Sequence, residues 1–258
     1  MMDALYIGST GMAAQQTGLE TIANNLANMN TPTFKRARVA FSDLVYRDRG
    51  LSHALPGAAG VHVGSGARVG AVDTVFSQGD LRSTDSAFDV AIDGAGLIEV
   101  LQADGSAAYS RGGSLRVNAD GLLALGNGLP LQPPIMVPSG AEAFRIERDG
   151  TVSVHLAGEA APVEVGRIEL ALFNGMEALR PLGENLHAAT SLSGEPWFAR
   201  PGEDGRGTLA QRFLEGANVR MADELVSLML AQRAFEANAK IIQASDDMLA
   251  ISNNLRRG

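Results

Sequence analysis

The sequence predicts an α+β fold: two long terminal helices that pair as an antiparallel coiled coil, and a central, irregular antiparallel β domain on an extended connector. Two observations predict it. Both ends of the 258-residue chain repeat apolar residues every seven positions, whereas the middle has short alternating runs between turn signals. The predicted domains are a helical module of 1–30 with 220–258, an extended connector 31–69, a β-rich domain 70–205 and a return connector 206–219.

The N-terminal segment has the apolar spacing of a helix from about residue 3 to residue 30. Gly8, Gly11 and Gly18 lie inside it, and each glycine costs about 1 kcal/mol relative to Ala. A helix weakened in this way needs a partner that covers its apolar face, and the glycines let that partner approach closely. The apolar face consists of Leu5, Met12, Leu19 and Leu26, extended by Ile22 and Met29.

A second helix is predicted from about residue 220 to residue 254, and Arg256 and Arg257 follow where cations suit a helix C-terminus. The alternative for both helices is that they pack into the core of their own domain. The apolar column of the second helix consists of Met221, Leu228, Phe235, Ile242 and Leu249, and the column four residues further on holds Leu225 and Ala239, interrupted by Gln232 and Asp246.

The middle of the chain reads as an all-antiparallel β domain, either a sandwich or an open barrel. Asp-Gly pairs recur between alternating apolar runs, and such pairs predict β-hairpins. Residues 50–66 are rich in Gly, Pro and Ala and are predicted to be extended. The Asp-Gly pairs lie at 93–94, 104–105, 120–121 and 149–150.

Composition and motifs favour a non-enzymatic protein, with no catalytic residue, cofactor or metal predicted. A net charge of −8 disfavours nucleic acid and anionic membranes, and the chain has no cysteine for disulfide or thiol chemistry. The four histidines lack metal-ligand spacing, and Gly64-Ser65-Gly66 is not completed to a phosphate-binding loop. No apolar run is long enough to span a membrane, and the N-terminus lacks the pattern of a secretory signal. These bulk properties alone predict a cytoplasmic protein.

Three basic residues, Lys35, Arg36 and Arg38, gather within four positions. Such a cluster predicts a solvated turn or a protein contact. A rival interpretation of the whole chain is a secreted glycan-binding or hydrolytic β domain. Its weakness is the lack of an aromatic platform, because aromatic residues make up 5% of the chain and Trp197 is its single tryptophan.

Several motifs along the chain are specific enough to compare with known families. They are ANNLAN at 23–28 with Thr31 and Phe34-Lys35 after it, FSDLVY at 41–46, GSGARV at 64–69, and the longer segments 76–96, 109–121, 182–186 and 214–249. These motifs resemble those of the bacterial flagellar basal-body rod and hook proteins. The total length and the retained connector 47–63 are similar to distal-rod members of that family, since the hook protein is usually longer. A proximal-rod or hook-like subunit is the alternative within the family.

The resemblance implies a structural subunit of a hollow helical tube that transmits motor torque to the hook. Its terminal helices would line the tube and its β domain would face outward. The implied partners are further copies of the chain, neighbouring rod subunits, the hook protein, the P and L ring proteins and the flagellar type III export apparatus. The implied location is the basal-body rod within the periplasm, reached without a cleaved signal peptide, and the N-terminal helix is expected to order on assembly.

The predicted site is an assembly interface whose asparagines form amide hydrogen bonds within or between subunits. Asn28 and Asn30 are also candidates for solvated or capping groups. The family commonly has Gly where this chain has Thr33, which is β-branched and resists positive φ, so we expect the turn to differ from the family's. The predicted interface residues are Leu5, Met12, Leu19, Ile22, Asn24, Asn25, Leu26, Asn28, Leu225, Leu228, Gln232, Phe235, Ile242 and Leu249, and the predicted connector turn is Thr31, Pro32, Thr33 and Phe34.

Overall fold

A computed structural model describes residues 2–45, 47–48, 62–157 and 161–255. The chain divides into two compact units: unit 1 contains residues 1–27, 37–73 and 220–258, and unit 2 contains residues 28–36 and 74–219. The predictions made for His53, for the Gly/Pro-rich stretch 50–61 and for Arg256 and Arg257 lie outside the described residues.

Unit 1 contains both helices and two small β-ribbons. Its elements are α1 (Met2–Ala27), β1 (Ala37–Asp43), β2 (Arg47–Asp48), β3 (His62–Val63), β4 (Ala67–Thr74) and α2 (Met221–Leu255). Helix α1 ends three residues earlier than predicted because Asn28–Asn30 form a turn, in which the Thr31 amide donates to the Asn28 carbonyl at 3.0 Å. One ribbon joins β1 with β4, and the other joins β2 with β3 in antiparallel register.

The two helices contact each other through the glycines of α1. A Cβ added at Gly8 would lie 2.9 Å from Ile242 Cγ1, and one added at Gly11 would lie 2.9 Å from the side-chain nitrogen Nδ2 of Asn238. Further along α1, Asn25 Nδ2 donates to Glu224 Oε2 at 3.4 Å. The order of contacts reverses between the helices, so they run antiparallel. This is the close approach that the glycines predicted.

The buried seam of α2 differs from the predicted one in its second column. The column at Leu228, Phe235 and Ile242 is half-buried, as expected, but its companion lies three residues further on rather than four. Leu225 is therefore 41% exposed and Gln232 is exposed. The glycine-lined face of α1 comes so close that it favours small or compact polar side chains. The companion column consists of Glu224, Ala231, Asn238 and Ser245.

Unit 2 is the predicted irregular antiparallel β domain. Its strands are β5 (Leu81–Ser83), β6 (Asp89–Asp93), β7 (Ile98–Leu101), β8 (Ala107–Ser110), β9 (Gly112–Val117), β10 (Leu123–Leu125), β11 (Ala141–Ile146), β12 (Thr151–Leu156), β13 (Val163–Arg167), β14 (Leu170–Leu172), β15 (Arg180–Gly183), β16 (Leu186–Ala188), β17 (Trp197–Ala199), β18 (Thr208–Gln211) and β19 (Phe213–Glu215). These strands form sheets with the orders β10-β9-β6-β18, β15-β16-β8-β7, β11-β12-β13, β14-β17 and β19-β5. A short 3-10 helix covers Met176–Ala178.

Three of the four Asp-Gly hairpins are confirmed. The pairs at 104–105, 120–121 and 149–150 connect β7 to β8, β9 to β10 and β11 to β12 in antiparallel register. The hairpin predicted at Asp93-Gly94 is wrong, because β6 pairs with β9 and β18 and the chain crosses to another sheet. The inward side chains of these sheets form the core of the unit, which includes Val90, Ile92, Ile98, Leu123, Val152, Leu170 and Leu209.

Glycines at the helix contact give a matched pair of substitutions. We expect Gly8→Ala to lower the stability of the helix pair, because overpacking against Ile242 typically costs about 1–3 kcal/mol. Gly18→Ala should instead stabilise α1 by up to about 1 kcal/mol, since the nearest atom to its new Cβ would be Phe41 Cζ at an ordinary 3.6 Å. Thermal melts of the helical circular dichroism signal measure both. Equal shifts for the two variants would contradict the close approach at Gly8.

Candidate functional site

Three charged side chains are buried together in unit 2, and we call them the charge cluster: Lys35, Arg111 and Glu215. Lys35 Nζ lies 2.6 Å from Glu215 Oε1, and Arg111 Nε lies 2.9 Å from Glu215 Oε2. The three residues are 5%, 2% and 0% exposed. Glu215 ends β19 shortly before α2, whereas Lys35 lies shortly after α1. The cluster therefore joins two segments that are far apart in the sequence.

Backbone groups complete the hydrogen bonding of the charge cluster. Arg111 Nη1 donates to the carbonyls of Gly94 and Gly96, both at 2.8 Å, and Nη2 donates to the Ile92 carbonyl at 3.0 Å. These bonds hold the chain after β6 in its crossover, which is why Asp93-Gly94 does not close a hairpin. A buried polar network is stabilising when its members are satisfied in this way.

Lys35 corrects the interpretation of the basic residues at 35–38. Its ammonium donates to Glu215 and, at 2.8 Å, to the Ser77 carbonyl, so it is neither a solvated group nor a surface contact. Burial lowers the pKa of Lys35, and the charge of Glu215 opposes that shift. The cluster holds two cations and one carboxylate, which makes Glu215 the one anion against which both cations are balanced.

The connector turn places Thr33 in the left-handed region, with φ of 62°. The expectation that this β-branched residue would resist positive φ is therefore wrong, and the chain adopts the conformation that glycine favours. Such a residue costs about 1–3 kcal/mol, which the surroundings must offset. The Thr33 amide donates to the Glu215 carbonyl at 2.8 Å, and Asn185 Nδ2 donates to the Pro32 carbonyl at 2.9 Å and to Thr33 Oγ1 at 3.2 Å.

Asn25, one of the clustered asparagines at the end of α1, has a clear role within the chain. Its amide pairs with both backbone groups of Ala37, accepting from the amide nitrogen and donating to the carbonyl, each at 2.9 Å. Asn25 is 2% exposed and also contacts Glu224. The amide hydrogen bonds predicted for this segment are thus present within the chain at Asn25, where they tie β1 to α1.

Asn218 has a similar role in unit 2 and was missed by sequence reasoning. Its Oδ1 accepts from the Arg36 amide at 2.7 Å, and its Nδ2 donates to the carbonyls of Val75 at 2.7 Å and Ser77 at 3.1 Å. One side chain thereby holds three segments of unit 2 close to the points where they leave it. The available signal was a single Asn in a short turn before a helix, which is too common to indicate this role.

The other predicted interface residues are spread along the two helices. Most of the apolar ones are half-buried, whereas Asn24, Leu225 and Gln232 are exposed. Among the described residues no cluster of His, Cys, Asp or Glu could hold a metal ion. Neither described helix is long and apolar enough to cross a membrane. The half-buried apolar residues are Leu5, Met12, Leu19, Ile22, Leu26, Leu228, Phe235, Ile242 and Leu249.

Comparison with known proteins gives three family matches that follow one another along the chain. Residues 5–35 match the flagella basal body rod protein model, residues 91–154 match the flagellar hook protein FlgE/F/G D1 domain, and residues 210–255 match the C-terminal model of the flagellar basal body rod FlgEFG proteins. These matches define the class as that of flagellar rod and hook proteins. They include both helical ends and part of the β unit.

Relatives that match nearly the whole chain identify one family within this class. The flagellar basal-body rod protein FlgG of Buchnera aphidicola subsp. Schizaphis graminum is 41% identical over 96% of this chain and 98% of its own length. FlgG of Caulobacter vibrioides is 40% identical over 99% and 100%. The rod protein FlgF of the same species is only 29% identical, over 96% and 95%. The chain belongs to the family of the flagellar basal-body rod protein FlgG.

Removal of the single anion of the charge cluster should destabilise unit 2. We expect Glu215→Gln to cost about 3–5 kcal/mol, because it leaves Lys35 and Arg111 buried without a counter-charge. Urea unfolding followed by the fluorescence of Trp197, which lies in unit 2, measures the loss. Glu203→Gln, the same change at an exposed glutamate, is the control. Equal stability of the two variants would show that the cluster contributes nothing.

His187 introduces a pH dependence into the same unit. Its ring packs edge-on to Phe76 at 4.9 Å between centroids, and its buried Nδ1 has no hydrogen-bond partner among the residues that the structure describes. Burial lowers the pKa of His187 below 6.5, and the nearby charge of Lys35 adds to that effect. The folded state therefore keeps His187 neutral at a pH where the unfolded chain already binds a proton.

Unit 2 should therefore lose stability as the pH falls below about 6.5, because only the unfolded state takes up the proton. The loss contributed by His187 is at most about 1.4 kcal/mol per pH unit. Urea unfolding between pH 7.5 and 5.5 measures it, and His187→Gln should flatten the slope. An unchanged slope in that variant would assign the effect to other groups.

Proposed function

We propose that this protein is a structural subunit of the flagellar basal-body distal rod, and that copies of it assemble into a hollow helical tube that transmits torque to the hook. The observation that carries the proposal is an apolar face of α2 that the described residues of the chain leave exposed. At 100° per residue this face lies on the side of α2 away from the α1 seam. We call it the outer face, and it consists of Leu225, Val226, Met229, Leu230, Ile241, Met248 and Ile251.

The outer face is strongly exposed for its composition. Leu230 is 64% and Ile251 60% exposed, and the other members are all above 40%. Exposed large apolar side chains that cluster on one side of a helix mark interaction sites. Covering one such side chain is worth about 1.5–3 kcal/mol, and in a homo-oligomer the same gain recurs in every copy. A head-to-tail contact that does not close on itself builds a helical filament.

The α1–α2 contact supplies the other half of the proposed assembly unit. We propose that it is an antiparallel coiled coil, since the apolar column of α2 and the glycines of α1 keep the spacing that such packing requires. Leu225 and Gln232, exposed in the single chain, then belong to contacts between copies. The predicted interface residues on α1 and α2 divide in this way between pairing within the chain and assembly.

The proposed partners are neighbouring rod subunits, the hook protein, the P and L ring proteins and the flagellar export apparatus. The proposed location is the rod of the flagellar basal body within the periplasm, after export without a cleaved signal peptide. The 40% identity to a FlgG, against 29% to the FlgF of the same species, supports the distal rod over a proximal-rod subunit. The glycan-binding interpretation has no support in these relatives.

One substitution in the α1 seam and one on the outer face of α2 test the assembly. We expect Phe235→Asp to disrupt the helix pair and Leu225→Asp to leave it intact, while both abolish rods and motility because a carboxylate cannot be buried at a subunit contact without a partner. Electron microscopy of basal bodies and the helical circular dichroism signal measure the two effects. Glu236→Gln, at an exposed position of α2, is the control. Normal rods from either Asp variant would contradict the proposal.

A further inference from the structure

The contact between α1 and α2 repeats every seven residues, and this creates an ambiguity. On α2, large apolar side chains recur at Leu228, Phe235, Ile242 and Leu249. A shift of one helix by seven residues would replace each of them with another of similar size, so the apolar column discriminates weakly between registers. Something else must select the observed register, and polar groups buried in a helix seam are the best-attested means of doing so.

The companion column of α2, Glu224, Ala231, Asn238 and Ser245, carries that information. Two of its contacts are direct: Glu224 with Asn25, and Asn238 with Gly11. The same seven-residue steps set Ala231 opposite Gly18 and Ser245 opposite Ala4, and both α2 residues are buried. In three of these four pairs the α1 residue is Gly or Ala, so these three pairs leave a similar space for the α2 side chain. The fourth pair alone joins an amide to a carboxylate.

We propose that Glu224, through its hydrogen bond to Asn25, is the residue that selects the register of α1 on α2. Glu224 is 4% exposed and Asn25 is 2% exposed, so the pair is withdrawn from solvent. A shift of seven residues in one direction sets Glu224 opposite Gly18, which has no side chain to donate. A shift in the other direction carries Glu224 beyond Ala27, the last residue of α1. Either shift loses the Asn25 amide and leaves a carboxylate to be accommodated elsewhere.

The side-chain amide of Asn25 also forms hydrogen bonds with both backbone groups of Ala37. The residue that recognises Glu224 is thus itself fixed in position by β1. Glu224 acts as a positioning residue for the helix pair, whatever the copies of the chain then assemble into. The inference is separate from the proposed function, since it concerns the single chain.

Disulfide trapping measures the register directly, because the chain contains no cysteine of its own. The reporter for the observed register is Ala4→Cys with Ser245→Cys, and the reporter for the register shifted by seven is Ala4→Cys with Asn238→Cys. Each pair is oxidised in the full-length chain with oxidised glutathione, and the cross-linked fraction is quantified. Both reporters are combined with Glu224→Leu, with Glu224→Gln and with Glu236→Leu, which makes the same change on an exposed position of α2.

We expect Glu224→Leu to raise the ratio of shifted to observed cross-links by about tenfold or more, the equivalent of one charge-assisted hydrogen bond. Glu224→Gln, which keeps an acceptor for Asn25, should stay close to the parent ratio, and Glu236→Leu should match it. An unchanged ratio in Glu224→Leu would overturn the proposal. Loss of both cross-links would also overturn it, because Glu224 would then hold the helices together rather than select between registers.

Discussion

The architecture of unit 2 depends on the burial of one carboxylate, that of Glu215, between two cations. Three buried charges cost much to desolvate, so the arrangement persists only because Lys35, Arg111 and the surrounding backbone satisfy one another. That requirement has consequences well beyond the ion pairs. Arg111 donates hydrogen bonds to the carbonyls of Gly94 and Gly96 and so holds the crossover after β6 in place. The backbone carbonyl of Glu215 accepts a hydrogen bond from the Thr33 amide and so stabilises a strained turn.

The helix pair of unit 1 is held differently, because the close approach of the two helices matters more there than the burial of large apolar side chains. Gly8 and Gly11 remove the side chains that would separate the helices, and Ile242 and Asn238 occupy the space. The large apolar residues of α1 are left half-buried at the margin of this contact. One consequence is that α2 keeps a second apolar surface on its other side. A helix with one face used within the chain and another left uncovered is suited to a protein that acts as one of many copies.

The FlgG family and the two faces of α2 point to the same kind of function from independent directions. The family assignment rests on identity over nearly the whole chain, whereas the outer face is visible in the exposure of individual side chains. The charge cluster and the helix seam both place buried polar groups in contacts within the chain. Their buried polar groups are engaged in holding chain segments together, which is what a subunit that bears mechanical load requires.

Local sequence patterns are enough to predict two terminal helices, a β-rich middle and three Asp-Gly hairpins. These features depend on periodicity and turn chemistry, which neighbouring residues specify. The remaining features could not be predicted in this way, because each of them needs a partner distant in the chain. Lys35 is buried only because Glu215 reaches it, and Thr33 adopts positive φ only because Glu215 and Asn185 hold it. The companion column of α2 is part of the seam only because the glycines of α1 bring the two helices close together.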